Sequence, residues 1–136
     1  MINFFLPMIP PTITHQEKGI SVKNGKPVVY EPQELKIARH KISMHLAKHA
    51  PSFPITGAVS LCVKWLFPVT RNHIDGEYKT SRPDTDNLQK LLKDCMTDVG
   101  FWKDDAQVVS EHIEKFYADK TGIYISIHER CGDVWI

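Results

Sequence analysis

Two short stretches hold the residues best suited to chemistry. R-P-D-T-D-N-L-Q-K over 82–90 sets Asp84 and Asp86 around one threonine, just ahead of an apolar periodic run, and F-W-K-D-D-A-Q-V over 101–108 adds Asp104 and Asp105. Carboxylates at this spacing have three physical uses. The first is helix capping: Asp86 followed by Gln89 makes a D-x-x-Q capping box, and Asp84 is then an acid ahead of the helix, favoured by its dipole by about 0.3 to 1 kcal/mol. The second is calcium, because D-T-D-N opens like an EF-hand loop; the turn position that needs glycine is Gln89 and the bidentate position is Cys95, so this use fails. The third is a magnesium-type site, which takes hard oxygen ligands from a few carboxylates and leaves other positions to water and phosphate. It needs a third ligand, and the Asp104-Asp105 pair can supply one if an antiparallel neighbour of the 58–67 strand returns it toward D-T-D. Carboxylates crowded this way repel unless a cation screens them. Lys90, one turn after Asp86, can reach the same mouth and stabilise charge in phosphoryl transfer, or it can form an exposed i,i+4 pair with Asp94.

The elements that must position these groups follow from periodicity. The apolar N-terminus reads as an early strand, and Asn24-Gly25 between β-leaning runs is the favoured two-residue hairpin signal. Residues 32–49 place Leu35, Ala38, Ile42, Leu46 and His49 at helical spacing, with Lys36, Arg39, Lys41 and Lys48 mostly off that stripe, a basic amphipathic helix. From 58 to 67, Val59, Leu61, Val63, Trp65 and Phe67 alternate as in a half-buried strand. The polar stretch 68–82 is then either a turned hairpin tip or a mobile flap beside D-T-D. A second helix carries Leu88, Leu91, Leu92, Cys95, Met96 and Val99 and stops at Gly100. Strands over 108–117 and 123–127, joined by D-K-T-G, close the chain. The expected fold is α+β: a single two-layer domain over residues 1–136, with a mostly antiparallel or mixed sheet and two main helices.

Composition narrows the function classes. No apolar run approaches the roughly 18 residues of a membrane span, and the N-terminus lacks a basic n-region and is broken by Pro7, so neither a membrane role nor a secretion signal is expected. Cys62, Cys95 and Cys131 are far apart with no C-x-x-C pair, which excludes a disulfide framework and a zinc knuckle and fits a reducing cytoplasm. Cys95 and Cys62 read as packing residues. His45 and His49 have zinc spacing but no third ligand. Residues 1–65 carry eight Lys/Arg against three Asp/Glu, and residues 66–136 nine against thirteen. A basic half and an acidic half suit a protein that attracts a polyanion and gathers carboxylates elsewhere, although solvated faces alone can give the same asymmetry.

The pair R-P-D-T-D-N-L-Q-K and G-F-W-K-D-D-A-Q-V, one short helix apart, closely resembles the RusA family of Holliday junction resolvases, over 82–109 and more loosely in the flanking strands. The resemblance implies a small homodimeric endonuclease, often prophage-encoded, that uses Mg2+, with Mn2+ as the alternative ion, to cut four-way DNA junctions symmetrically. It further implies that Asp84, Asp86 and Asp105 are catalytic metal ligands, Lys90 the catalytic lysine and Asp104 the neighbouring acid of the pair. The founding member has an arginine-rich run before the motif, where this chain has a longer loop with Arg71, His73, Lys79 and Arg82. Expected DNA contacts are Lys18, Lys23 and Lys26 around the hairpin, with Arg71, Lys79 and Arg82 in that loop. Paired incisions across a two-fold junction call for a dimer. Its interface candidates are apolar side chains of the second helix or Phe101-Trp102, whose alternative is folding back over the helix end. Two rivals stay open: a branched-DNA-binding module whose aspartates only cap, and a flap or fork nuclease.

Overall fold

The computed structural model describes residues 1–14 and 19–130. Lys18, Cys131 and the tail with Trp135 therefore lie outside the described residues. The chain runs β1 (Ile2–Leu6), β2 (Gly19–Lys23), β3 (Lys26–Tyr30), α1 (Gln33–Ala47), β4 (Val59–Pro68), α2 (Thr85–Asp98), a short 3-10 turn (Asp105–Gln107), β5 (Val108–Ala118) and β6 (Gly122–Glu129). It is the expected α+β layout, with a four-stranded mixed sheet in the order β1-β6-β4-β5 and a separate β2-β3 ribbon.

The ribbon turns at Asn24 and Gly25, which take φ of 54° and 76°, the left-handed pair that a two-residue type I′ turn requires. Lys23 and Lys26 face each other across its tip. In β4 the alternation holds without exception: Val59, Leu61, Val63, Trp65 and Phe67 are all buried. They join Leu35, Ile42 and Leu46 of α1 and Leu88, Leu91, Leu92, Cys95 and Met96 of α2 in one core between sheet and helices. Phe101 and Trp102 are buried too, and Trp102 Nε1 donates to Thr97 Oγ1 at 2.8 Å. They fold back over the end of α2, as one of the two expectations for them had it, and offer no surface to a partner.

Three local expectations are corrected. Strand β5 is parallel to β4, from Val59↔Val108 to Pro68↔Ala118, because α2 supplies the long crossover that parallel pairing needs. The strands joined by D-K-T-G are not neighbours, since β4 lies between them and pairs antiparallel with β6. The 68–82 stretch has a small turned tip, where Thr70 and His73 exchange backbone hydrogen bonds at 3.1 and 3.4 Å, but beyond it the chain is docked and not a loose flap. Gly76 N donates to Tyr117 O and Tyr117 N to Glu77 O, each at 2.8 Å, and Lys79 N donates to Lys115 O at 3.0 Å, so the stretch lies along the free edge of β5. His73 stacks on the Tyr117 ring at 4.3 Å. Unpaired edge groups of β5 explain this docking: the strap satisfies donors and acceptors that would otherwise be left open.

Candidate active site

Helix α2 begins two residues earlier than the capping pattern suggests. Its N-cap is Asp84, in extended conformation with φ −74° and ψ 150°, and the first helical bond runs from Leu88 N to Asp84 O at 3.1 Å. The Asp84 side chain makes no cap hydrogen bond, and Asp86 sits inside the first turn, accepting only from the adjacent Asn87 N at 3.0 Å. Gln89 cannot return to cap anything. It lies three residues from Leu92 and seven from Met96 on the core-facing stripe and is 2% exposed. Both aspartates at the helix start thus keep carboxylate oxygens turned to solvent, where the helix dipole favours negative charge.

The D-x-x-Q pattern is used, but one segment later. Asp104 caps the 3-10 turn by accepting from Ala106 N at 2.9 Å, and Gln107 Oε1 accepts in return from Asp104 N at 3.2 Å, a reciprocal capping box. Gln107 Nε2 also donates to Ile55 O at 2.7 Å and Gly57 O at 3.1 Å, which fastens the turn to the chain before β4. Asp104 is therefore occupied by structure, while Asp105 is presented on a fixed mount.

Asp105 meets Lys90. The lysine Nζ lies 3.1 Å from Asp94 Oδ1 and 3.6 Å from Asp105 Oδ2, so the i,i+4 pair and the reach across to the D-D segment both exist. The hydrogen bond and charge of Asp94, reinforced by the charge of Asp105, hold the Lys90 ammonium above the usual lysine pKa and keep it protonated through the neutral range. Around it an open groove of about 380 Å³ is walled by Asp94, Asp98, Lys103 and Asp105, with Arg39 reaching in from α1. Arg39 is itself held by Glu31 at 2.8 Å and lies 3.9 Å from Asp94.

Asp84 has a cationic neighbour of its own in Lys115. The Lys115 Nζ donates to Ser81 O at 2.8 Å and to Pro83 O at 2.7 Å, clasping the chain on either side of the cis Arg82-Pro83 bond just before the N-cap. Burial, followed by the charge of Lys79, pushes the Lys115 pKa down, and the carboxylate of Asp84 partly offsets that. Lys79 is engaged as well, with Nζ 2.7 Å from Ser81 Oγ and about 5 Å from the Phe67 and Tyr117 ring centres. The sequence had offered Lys79 as a DNA contact and no role for Lys115. Arg71 and Arg82 are exposed on the strap, and Lys23 and Lys26 on the ribbon tip.

Asp105 and Lys90 are thus brought together, with Asp86 one helical turn away. Among the described residues, no three carboxylate, imidazole or thiol groups stand close enough to enclose a metal ion. Sequence reasoning missed Lys115, since one lysine in an alternating strand gives no signal, and overlooked Gln107, which the D-x-x-Q pattern in D-D-A-Q could have flagged.

Comparison with known proteins places the chain among relatives of one family. The sequence profile described as "Endodeoxyribonuclease RusA" matches residues 8–128. The "Crossover junction endodeoxyribonuclease rusA" of Lactococcus phage r1t is 32% identical over 118 residues, covering 85% of this chain and 88% of that protein. A Bacillus subtilis protein named "Uncharacterized protein YqaN" is 30% identical over 120 residues, 80% of this chain and 84% of that one. The "Crossover junction endodeoxyribonuclease RusA" of Escherichia coli K12 is 51% identical over 41 residues, 30% of this chain and 34% of that protein.

Proposed function

The chain belongs to the RusA family of endodeoxyribonucleases, and from that premise we propose that it resolves four-way DNA junctions by paired, symmetric, Mg2+-dependent phosphodiester hydrolysis. Residues 1–136 act as one endonuclease unit in the cytoplasm. Among the described residues, no helix is long and apolar enough to cross a membrane.

The observation that carries the reading is Lys90: a protonated lysine fixed by Asp94 that faces Asp105 at 3.6 Å, on the helix whose first turn holds Asp86. The donor chemistry suits a hard divalent ion, because Asp84 and Asp86 keep carboxylate oxygens out of the cap and Asp105 is spared from the capping box by Asp104. Asp84, Asp86 and Asp105 would hold Mg2+, or Mn2+ in its place, by drawing together around the ion, since no three such groups among the described residues stand close enough in this fold to enclose it. When bound, such an ion supplies charge neutralisation at a phosphate and acidification of water.

The chain's own groups do the rest. Lys90 places a fixed positive charge where negative charge grows on the phosphate oxygens, with no need to reorient during the reaction. Asp94 anchors that lysine. Lys115 sets the backbone from which Asp84 projects, and Gln107 sets that of Asp105. Lys23, Lys26, Arg71, Lys79 and Arg82 contribute backbone contacts to the junction arms, and a homodimer supplies two sites related by the junction's own two-fold symmetry.

The test is cleavage of a labelled four-way junction, a flap and plain duplex, each in Mg2+ or EDTA, by the wild type and by Asp86→Asn and Asp105→Asn. Symmetric metal-dependent nicks confined to the junction and lost in both variants are expected. Tight junction binding with no cutting in either Mg2+ or Mn2+ would turn the aspartates back into capping groups and the protein into a binding module.

A further inference from the structure

The groove beside Lys90 is lined by three cations and four carboxylates, and two of the cations are already committed. Arg39 is paired to Glu31 at 2.8 Å and lies 3.9 Å from Asp94, and Lys90 is held between Asp94 and Asp105. Lys103 is the third. Among the described residues it has no ion pair, although Asp98, Asp104 and Asp105 line the same groove. Its side chain is exposed, while its backbone is fastened on both sides. Before it, Trp102 is buried, donates to Thr97 Oγ1 at 2.8 Å and bridges to Ile55. After it comes the capping box, and the Lys103 amide itself donates to Gln107 Oε1 at 3.1 Å, the same oxygen that takes the Asp104 amide. Gln107 therefore holds Lys103 and Asp105 on one mount, with the capped Asp104 between them. Most exposed lysines are simply solvated. This one differs in standing in a groove whose carboxylates outnumber its cations, on a backbone fixed relative to Asp105.

We propose that Lys103 is a substrate-binding residue whose ammonium takes the DNA phosphate next to the scissile one, on the strand that enters the groove. The inference rests on the reading of the protein as a DNA-cutting enzyme and names a substrate contact within it. Charge supplies the reason. The neighbouring phosphate of the same strand brings a further negative charge to a groove already rich in carboxylates, and it needs a cation that no carboxylate has claimed. Among the described residues that line the groove, Lys103 is that cation. Position separates it from Lys90. Lys90 stands 3.6 Å from Asp105, whereas Lys103 makes no pair with Asp105 from two residues away, so its ammonium stands off from the carboxylate that marks the reacting position. A lysine meets a phosphate as a point charge and reads no base edge, so this contact adds affinity and register without sequence preference.

The experiment measures binding of a labelled four-way junction in EDTA across a KCl series, for the wild type, Lys103→Gln and Lys103→Arg. Lys64→Gln serves as the control, since Lys64 is exposed on β4 between core-facing neighbours and lies outside the groove. Single-turnover cleavage at saturating enzyme in Mg2+ and the unfolding temperature are recorded alongside. Loss of one phosphate contact in Lys103→Gln predicts a salt slope shallower by about one and affinity weaker by about fivefold at 0.15 M salt. Lys103→Arg is expected to restore both, with the saturating cleavage rate and the unfolding temperature unchanged throughout. An unchanged slope in Lys103→Gln, with the wild type binding and cutting normally, overturns the contact and leaves the enzyme reading standing. An equal loss of slope in Lys64→Gln, or a loss that Lys103→Arg does not restore, overturns it as well, because the effect is then one of overall charge or of a disturbed fold. A lowered saturating rate with no change in slope places the lysine on the reacting phosphate and overturns its assignment to the neighbour. A wild type that neither binds nor cuts the junction removes both the contact and the reading beneath it.

Discussion

At the scale of single residues, the candidate site divides its polar groups into those that fold the chain and those left for chemistry. Asp104, Asp94 and Lys115 are spent on local structure, whereas Asp84, Asp86 and Asp105 are not. Replacing Asp84 or Asp105 by Asn keeps shape and removes charge, so junction cutting should vanish while junction binding in EDTA persists. A gel assay with an unfolding scan beside it checks both halves, and a cutting Asp105→Asn protein would refute the assignment. Lys90→Ala should lower the cleavage rate by about 10² to 10³, the usual loss when a preorganised donor is removed from a reacting phosphoryl-like centre. Lys115 gives a finer test. Lys115→Met strands the carbonyls of Ser81 and Pro83, and stability should fall by about 1 to 3 kcal/mol in urea titration. Cutting should fall further than the folded fraction does, because Asp84 hangs from that backbone.

At the scale of elements, α2 shows what the sequence could and could not say. Its apolar stripe predicted the helix, its end at Gly100 and its packing. The start was misread by two residues, because D-x-x-Q at 86–89 and at 104–107 are the same pattern and only tertiary context decides between them. Gln89 was drawn into the core by its place in the stripe, and its amide finds no hydrogen-bond partner among the described residues. Gln89→Met should therefore raise stability by about 1 to 2 kcal/mol, read as a shifted urea midpoint, since an apolar group of similar shape carries no desolvation cost. Gln107→Ala tests the other box: it removes bonds to Ile55, Gly57 and the Asp104 amide, and a loss of about 1 to 2 kcal/mol together with slower cutting is expected. The strap at 76–79 and the clasp by Lys115 were illegible, because edge docking depends on which strand is left unpaired, and periodicity carries no strand order.

At the scale of the whole molecule, sheet order is the feature that periodicity could not supply. The chain's first strand lies against its last, from Ile2↔Ile127 to Leu6↔Ile123, and β4 occupies the other side of β6. The fit at the start of β6 is close: a Cβ on Gly122 would collide with the Phe5 ring and the Leu6 carbonyl, so the position tolerates only glycine. This order also fixes a timetable. Strand β6 leaves the ribosome after every other strand of the sheet, and β1 has no other partner in it, whereas β4 also pairs with β5. A nascent chain can zip β4 to β5 through α2, and so assemble the carboxylate-bearing turns early, while β1 waits far upstream with its edge open. The strand made last of the four is thus the one that joins the β4-β5 pair to β1 in a single sheet.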